Sequence, residues 1–130
     1  LIELHDRRRF DVFGVSLARQ KGARKSPRLE QGFDRFIEAG HLAGPQALDF
    51  IRDQEIDIAI DLNGHTMGGR PELFLERIAP IKVNYLGYPA TMGAGFMDYI
   101  VADHRVIPEA DRPYFAERID GLGVSGLVRW

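Results

Sequence analysis

A chain of 130 residues has the size of a single domain and is too short for a complete two-lobed enzyme. Apolar residues make up 45% of it and charged residues 28%, which excludes a disordered chain, and a net charge of −2 excludes strong electrostatic attraction to nucleic acid or to an anionic membrane. The chain contains no cysteine and so forms no disulfides, and no apolar run approaches the roughly 20 residues of a membrane span. The N-terminus also lacks a secretory signal. We therefore expect a cytoplasmic protein.

The N-terminal third predicts a strand, a short helix and a second strand. Residues 1–4 resemble the end of a helix that starts further upstream. The apolar, β-branched segment 10–17 predicts a strand, and a Ser-Pro pair before residues 28–32 predicts a short helix. Alternation of polar and apolar residues over 33–38 predicts the second strand.

The same alternation of elements continues to the C-terminal part of the chain. The proline-led segment 45–54 predicts a helix, and the nearly continuous apolar run at 57–62 predicts a parallel strand covered on both faces. The remaining predicted elements are a helix at 71–77, strands at 81–86 and 99–102, and a final helix at 113–118. Strands that alternate with helices predict an α/β domain with a doubly wound, mainly parallel sheet.

We assign residues 1–118 to this α/β domain. Residues 119–130 form an atypical glycine-rich tail that fits the pattern poorly; it is either native or the result of a truncation or a frameshift, and the sequence leaves both alternatives open. The opening at residues 1–4, in the middle of an element, likewise predicts that the chain is a fragment.

Two loops that follow predicted strands carry the strongest functional signal. Glycine lets the backbone approach a ligand closely, and short polar side chains stand beside it in both loops. Ligands bind to open parallel sheets at the carboxyl ends of the strands, where these loops lie. The alternatives are a plain β-turn for the first loop and, for the second, a strand exit with Tyr88 packed in the core. The first loop consists of Asn63, Gly64, His65 and Thr66, and the second loop, residues 87–93, contains Gly87, Tyr88, Pro89, Ala90, Thr91 and Gly93.

The amino-acid sequence of these segments resembles that of a known protein family. The string DLNGHTMGGRPELFLERIAPIKVNYLGYPATMGAGFMDYIVAD at 61–103 is similar to the first catalytic lobe of the protein O-linked N-acetylglucosamine transferases, including their bacterial and plant relatives. A weaker similarity covers 1–60, and the match reaches about residue 117. The resemblance implies an incomplete, Rossmann-like first lobe of a GT-B glycosyltransferase.

The resemblance also implies an activity. Members of this family move N-acetylglucosamine from its uridine diphosphate carrier to Ser or Thr hydroxyls of proteins, with inversion and without a metal. The implied partners are the nucleotide-sugar donor and an acceptor protein, and no cofactor is implied beyond the donor substrate. The implied neighbours in the polypeptide are a C-terminal catalytic lobe and upstream helical 34-residue repeats of the tetratricopeptide type.

By the same resemblance, the two loops face the nucleotide-sugar in the cleft between the lobes. We therefore predict that all ten named loop residues bind substrate. The family's catalytic groups, a lysine of the second lobe and a histidine upstream of residue 1, have no counterpart in this sequence. The isolated chain is accordingly expected to be inactive.

Two loop residues depart from the family pattern. His65 stands where relatives commonly carry tyrosine, and histidine titrates near neutral pH, so we interpret it as a solvated loop residue and not as a catalytic base. Ala90 stands where relatives usually carry glycine. If φ at this position is positive, alanine costs about 1 kcal/mol and shifts the loop, whereas a negative φ makes the change nearly silent.

Other polar residues have simpler interpretations. Carboxylates at strand ends can accept a sugar hydroxyl or a helix N–H, and we favour solvated or capping roles for Asp61, Asp98 and Asp103. Arg70 follows two glycines and is a candidate phosphate ligand, but we favour a surface salt bridge with Glu72 or Glu76. The scattered histidines do not have the spacing of a zinc site.

Two alternatives to the transferase interpretation stay open. One is a non-catalytic Rossmann-like module that binds a partner protein. The other is a GT-B glycosyltransferase that uses a different sugar or a small-molecule acceptor.

Overall fold

The computed structural model describes residues 2–18, 26–85 and 87–121, which belong to two compact units, Leu1–Ala43 and Gly44–Trp130. The sheets of both units are parallel, as predicted for an α/β chain. Among the described residues no helix is both long and apolar enough to cross a membrane.

The first unit is a β-α-β element. A 3-10 turn at Ile2–Leu4 precedes strand β1 (Phe13–Ser16), helix α1 (Pro27–Gly32) and strand β2 (Arg35–Glu38). Strands β1 and β2 pair in parallel, with Phe13 opposite Arg35. The predicted helix is confirmed, with proline at its first position, although the Ser26 side chain forms no capping hydrogen bond.

A single carboxylate joins the parts of this first unit. Asp34 accepts hydrogen bonds from the Val12 N–H at 2.7 Å, from Nε2 of His5 at 2.8 Å and from the guanidinium of Arg7. The hydrogen bond from the Val12 N–H is the main cause of a lowered pKa of Asp34. The side chain therefore fastens the N-terminal turn to the ends of β1 and β2.

The second unit contains a four-stranded parallel sheet in the order β3-β4-β5-β6. Its elements are α2 (Gly44–Arg52), β3 (Ile58–Asp61), α3 (Glu72–Leu75), β4 (Ile81–Tyr85), β5 (Tyr99–Ala102), a 3-10 helix (Glu109–Tyr114) and β6 (Arg118–Gly121). In the register of this sheet, Asp61 pairs with Asn84, and Asn84 pairs with Ile100. Because side chains alternate between the faces of a strand, these three lie on the same face.

One face of the four-stranded sheet is buried and the other is open. The buried face is lined by Ala59, Asp61, Lys82, Asn84, Ile100 and Ala102. On the opposite face Ile58, Ile60 and Ile81 are 45%, 55% and 38% exposed. The prediction that the run at 57–62 is covered on both faces is therefore wrong for the described residues. The exposure extends to Ile81 of the inner strand β4, so it reflects missing cover over this part of the face and not the edge position of β3.

The connection from β4 to β5 crosses from the carboxyl end of one strand to the amino end of the next. Over its described residues, 87–98, it contains no helix or strand. Met92 and Met97 of this connection are 4% and 2% exposed, so both are core residues. Burial of each methionine contributes about 1.5–3 kcal/mol, so the connection packs as part of the core.

A buried lysine supports the short helix α3. Nζ of Lys82, a residue only 4% exposed, donates to the carbonyl oxygen of Phe74 at 2.8 Å. Burial lowers the pKa of this amine because the low-dielectric interior disfavours its charged form. The ammonium thus satisfies a carbonyl at the C-terminus of α3 that has no partner in the helix itself.

The C-terminal part differs from the prediction. A helix at 113–118 is wrong: the 3-10 helix is Glu109–Tyr114, and β6 occupies Arg118–Gly121. The prediction places Pro113 at the start of the helix, whereas Pro108 is the N-cap and Pro113 lies inside the 3-10 helix. Of the tail separated at residue 119, the first residues belong to β6, and residues 122–130 lie outside the described part of the chain.

Candidate functional site

The first loop and the second loop lie against each other at the carboxyl ends of β3 and β4. A methyl group on Gly87 would stand 1.4 Å from the carbonyl oxygen of Leu62, and one on Gly64 would stand 2.4 Å from Cβ of Tyr88. Gly64 also has a φ of +53°, a region that glycine adopts without a steric penalty. Glycine is therefore required at both positions, at Gly87 for the approach to the Leu62 backbone and at Gly64 for the approach to the Tyr88 side chain.

His65 adds a second contact between the loops. Its Nε2 lies 3.3 Å from the carbonyl oxygen of Met92, and its ring meets that of Tyr88 edge to face at 5.4 Å between centroids. The side chain is exposed, as expected for a loop histidine, but it also links the two loops. The contact would hold the ring in place beside the backbone of the second loop.

The first loop is fastened to the strand that precedes it. Oδ1 of Asp61 accepts hydrogen bonds from the N–H groups of Asn63 at 2.8 Å and Gly64 at 3.1 Å. Thr66 closes the turn by donating both its hydroxyl, at 2.7 Å, and its N–H, at 3.1 Å, to the carbonyl oxygen of Asn63. The capping interpretation of Asp61 is confirmed.

A fully buried amide supports the second loop from below. Nδ2 of Asn84 donates to the carbonyl oxygens of Tyr88 and Ala90, both at 3.1 Å. Oδ2 of Asp61 and Oδ1 of Asn84 are both buried, and neither accepts a hydrogen bond from the described residues. The two side chains are neighbours in the ladder between β3 and β4. One buried polar pair therefore underlies both loops.

The carboxylate of Glu117 holds the far end of the second loop. This side chain, 5% exposed, accepts from the Thr91 hydroxyl at 2.7 Å and from the Met92 N–H at 2.5 Å. The Thr91 oxygen in turn accepts from the N–H groups of Gly93 at 3.0 Å and Ala116 at 3.3 Å. The Thr91 hydroxyl thus uses its donor and both acceptor positions within the protein.

Sequence reasoning missed both Asn84 and Glu117. Asn84 stands inside a predicted strand, where a polar residue gives no separate signal. Glu117 lies 26 residues beyond Thr91, and a glutamate in a charged segment is usually solvated. Neither residue carries a local pattern from which its contact with the second loop follows.

The predicted site residues differ in how far they face solvent. Gly64 is buried, whereas Tyr88, Ala90 and Thr91 are half-buried. The other six predicted residues are exposed, namely Asn63, His65, Thr66, Gly87, Pro89 and Gly93. Within the part of the chain that the structure describes, the backbone N–H groups of His65, Tyr88 and Ala90 donate to no acceptor. The loops thus present amide donors together with an amide and an imidazole side chain, a set suited to binding hydroxyl or phosphate oxygens.

The backbone conformation at Ala90 determines whether alanine, in place of the glycine that the resemblance implies, strains the second loop. Among the described residues other than glycine, Glu55 alone has a positive φ. Ala90 therefore adopts an ordinary backbone conformation that a Cβ does not strain, and the nearly silent alternative applies.

The remaining polar residues serve the backbone or each other. Asp98 accepts from the Lys82 N–H at 2.8 Å, and Asp103 accepts from the N–H groups of Arg105 and Val106, both at 2.9 Å, which lowers the pKa of Asp103. Asp103 thus caps the turn that follows it, as expected, whereas Asp98 bonds to a residue within strand β4.

Arg70 forms the salt bridge that we favoured. Its Nε donates to Oε1 of Glu72 at 3.1 Å. The expected surface position is wrong, because the arginine is 5% exposed. Elsewhere in the described ranges, no group of three or more Asp, Glu or His side chains is arranged to hold a metal ion.

Two hollows lie outside the loop contact. One of about 60 Å³ adjoins the second loop beneath the end of β5, and the other, of about 380 Å³, is shallow and lies at the amino ends of β3 and β4. The smaller is lined by Tyr88, Pro89, Ile100, Val101, Ala102, Asp103 and Val106. In the larger, Arg52 and Arg77 already pair with Glu76 and Asp98. Since ligands of parallel sheets bind at the carboxyl ends of the strands, the larger hollow is at the wrong edge for the predicted chemistry.

Comparison with known proteins gives a consistent result. The sequence model of glycosyl transferase family 41 matches residues 1–123. The chain is 37% identical over 117 residues to a UDP-N-acetylglucosamine–peptide N-acetylglucosaminyltransferase of Caenorhabditis elegans and 31% identical over 116 residues to a probable enzyme of the same description from Arabidopsis thaliana. Each alignment covers 89% of this chain, but only 10% and 12% of those proteins.

A solved structure shows the same fold. A mutant of the Thermobaculum terrenum O-GlcNAc transferase superposes with a TM-score of 0.84 at 30% sequence identity. The match covers 94% of this chain and 23% of that one. The chain thus spans about a tenth of the length of the curated relatives and about a quarter of the solved structure.

Proposed function

Since this chain belongs to glycosyl transferase family 41, we propose that the protein that carries it transfers N-acetylglucosamine from UDP-N-acetylglucosamine to Ser or Thr hydroxyls of proteins. The relatives described above carry the name of this activity. In this proposal, the 130 residues supply part of the first of two catalytic lobes, and the first and second loops are the part of that lobe that faces the nucleotide-sugar.

The observation that carries the proposal is the close contact of the two loops at the carboxyl ends of β3 and β4. Gly87 approaches Leu62, and Gly64 approaches Tyr88, so the loops form one continuous rim. The exposed residues of that rim, among them Asn63, His65 and Gly87, are the proposed contacts to the donor. Donors that are fixed before the substrate arrives stabilise developing charge without reorganising during the reaction.

The proposed role of the loops is to position substrate, and not to exchange protons. Inversion requires the acceptor hydroxyl to lie in line with the departing diphosphate, so positioning and electrostatic stabilisation supply much of the rate. We assign the neutralisation of the leaving diphosphate to the second lobe. We further propose that the reaction is metal-independent, that it takes place in the cytoplasm, and that upstream tetratricopeptide-type repeats present the acceptor protein.

The test compares two polypeptides from the same gene. The full-length product should transfer N-acetylglucosamine from the labelled donor to protein, and residues 1–130 alone should not. A parallel assay with UDP-glucose and with small hydroxyl acceptors tests the alternative glycosyltransferase. Absence of transfer by the full-length product, with donor binding also absent in calorimetry, would leave the non-catalytic binding module as the better interpretation.

A further inference from the structure

Glu117 contacts the second loop at its C-terminal end, at Thr91 and Met92. Its carboxylate is almost fully buried and reaches two consecutive residues of the connection, the hydroxyl of Thr91 at 2.7 Å and the N–H of Met92 at 2.5 Å. It stands directly before β6, so the contact joins the β4–β5 connection to the strand on the far side of β5. No contact of this kind follows from the family pattern or from the proposed reaction.

The donors and acceptors around this carboxylate allow only one set of hydrogen-bond directions. The Thr91 oxygen already accepts from the N–H groups of Gly93 and Ala116, so its single proton points at Glu117. The Met92 N–H also points at Glu117. Both carboxylate oxygens therefore face donors. A glutamine here would place its NH₂ group against one of these donors, which leaves a buried donor without an acceptor.

The two ends of the ligand-facing stretch are thus held by different side chains. Asn84 fixes the carbonyl groups of Tyr88 and Ala90, and Glu117 fixes the next two residues, Thr91 and Met92. The approach of Gly87 to Leu62 sets the start of the same stretch. Without the carboxylate, the stretch keeps its start and its middle but loses its downstream anchor.

We propose that Glu117 is a positioning residue that sets the geometry of the donor-binding second loop, acting through Thr91 and the backbone of Met92 without touching the substrate. This inference rests on the proposed function, since it specifies which side chain holds the donor loop in shape. It predicts an effect on the donor and not on the acceptor protein.

The test uses the full-length gene product with three variants, Glu117→Gln, Thr91→Val and the two combined. Each single change should raise KM for UDP-N-acetylglucosamine about tenfold or more, as expected for the loss of a charge-assisted hydrogen bond, and leave KM for the acceptor protein unchanged. The combined variant should be less impaired than the product of the two single effects, because both changes remove the same Thr91–Glu117 hydrogen bond. Glu109→Gln, on an exposed glutamate that pairs with Arg112, is the matched control and should behave as wild type.

Amide hydrogen exchange measures the anchoring independently of activity. In the wild-type protein the Met92 N–H should be protected, and in Glu117→Gln it should exchange faster while the β5 amides stay unchanged. If Glu117→Gln fails to fold, Thr91→Val, which nearly conserves side-chain volume, tests the hydroxyl part of the anchor: the Gly93 N–H, which donates to the Thr91 oxygen, should exchange faster, and unchanged exchange there with an unchanged donor KM overturns the inference.

The outcomes separate the two proposals. An active wild-type enzyme with unchanged donor KM in both single variants, with equal effects on donor and acceptor KM, or with multiplicative effects in the double variant overturns the positioning role and leaves the proposed function intact. An inactive wild-type enzyme overturns the proposed function. In that case, unchanged exchange at Met92 in Glu117→Gln also overturns the inference, and faster exchange supports the anchoring on which it depends.

Discussion

The two loops of the candidate site are ordered in different ways. The first loop is capped by Asp61, which lies two residues before it in sequence, and beyond the loop Met67 is fully exposed. The second loop depends on Glu117, a residue far along the chain, and continues into a connection that buries Met92 and Met97. The conformation of a loop that is held by local contacts can be predicted from its own sequence. The conformation of a loop that is held by distant residues cannot.

The largest loss of stability is expected when a side chain is placed between the two loops. Gly87→Ala places a Cβ 1.4 Å from the Leu62 carbonyl oxygen, a backbone atom that cannot move aside cheaply. We expect a loss of about 4 kcal/mol or more in the free energy of unfolding, measured by denaturant titration. Gly95→Ala is the control, because a Cβ there has no neighbour within 4 Å. Equal stability of the two variants would contradict the contact.

Gly64→Ala sharpens the comparison, because it tests the same contact from the first loop. The substitution combines a positive φ with a Cβ only 2.4 Å from that of Tyr88, and we expect a cost of about 2–3 kcal/mol. Gly68→Ala has a φ of +89° but open space around its Cβ, so it should cost only about 1 kcal/mol. The difference between the two unfolding free energies measures the packing between the loops; no difference would mean that they do not touch.

Asp61 offers a test of the local anchor. Asp61→Ala removes the acceptor for two backbone N–H groups and should cost about 2–3 kcal/mol in thermal or denaturant unfolding. Asp61→Asn should cost less than about 1 kcal/mol, because its oxygen keeps those bonds and its NH₂ group can donate to the unpartnered Oδ1 of the neighbouring Asn84. If the two variants lose equal stability, the carboxylate acts through its charge and not through these bonds.

The smallest loss of stability is expected at Ala90, one of the two loop residues that the resemblance sets apart from the family pattern. Because Ala90 has an ordinary φ, Ala90→Gly relieves no strain and only adds freedom to the unfolded chain. We expect a loss of about 0.5–1 kcal/mol in unfolding free energy and an unchanged donor KM in the full-length protein. A stability gain would show that alanine distorts the second loop after all.

The sequence predicted those features that local pattern determines. The strands that end at Asp61 and Tyr85 follow from apolar runs, and the positions of both site loops follow from the glycines at the strand exits. The cap formed by Asp61 was also accessible, because its partners lie two and three residues away.

Features that depend on contacts between distant segments were missed. Glu117 is indistinguishable in sequence from a solvated glutamate until the fold places it beneath Thr91. The burial of Arg70 and the open side of Ile60 depend on which elements cover them, and the apolar pattern does not specify this. At the C-terminal end, two prolines competed as a helix start, and local signals gave no means of choosing Pro108 over Pro113.

The open face of the four-stranded sheet has a practical consequence for anyone who purifies these 130 residues. Ile58, Ile60, Leu62 and Ile81 are each more than a third exposed, along and just beyond two adjacent strands. A contiguous exposed apolar surface of this kind promotes self-association in water. Preparations of the chain alone should therefore elute early and concentration-dependently in gel filtration, and mild detergent or an Ile60→Lys change should shift them toward monomer.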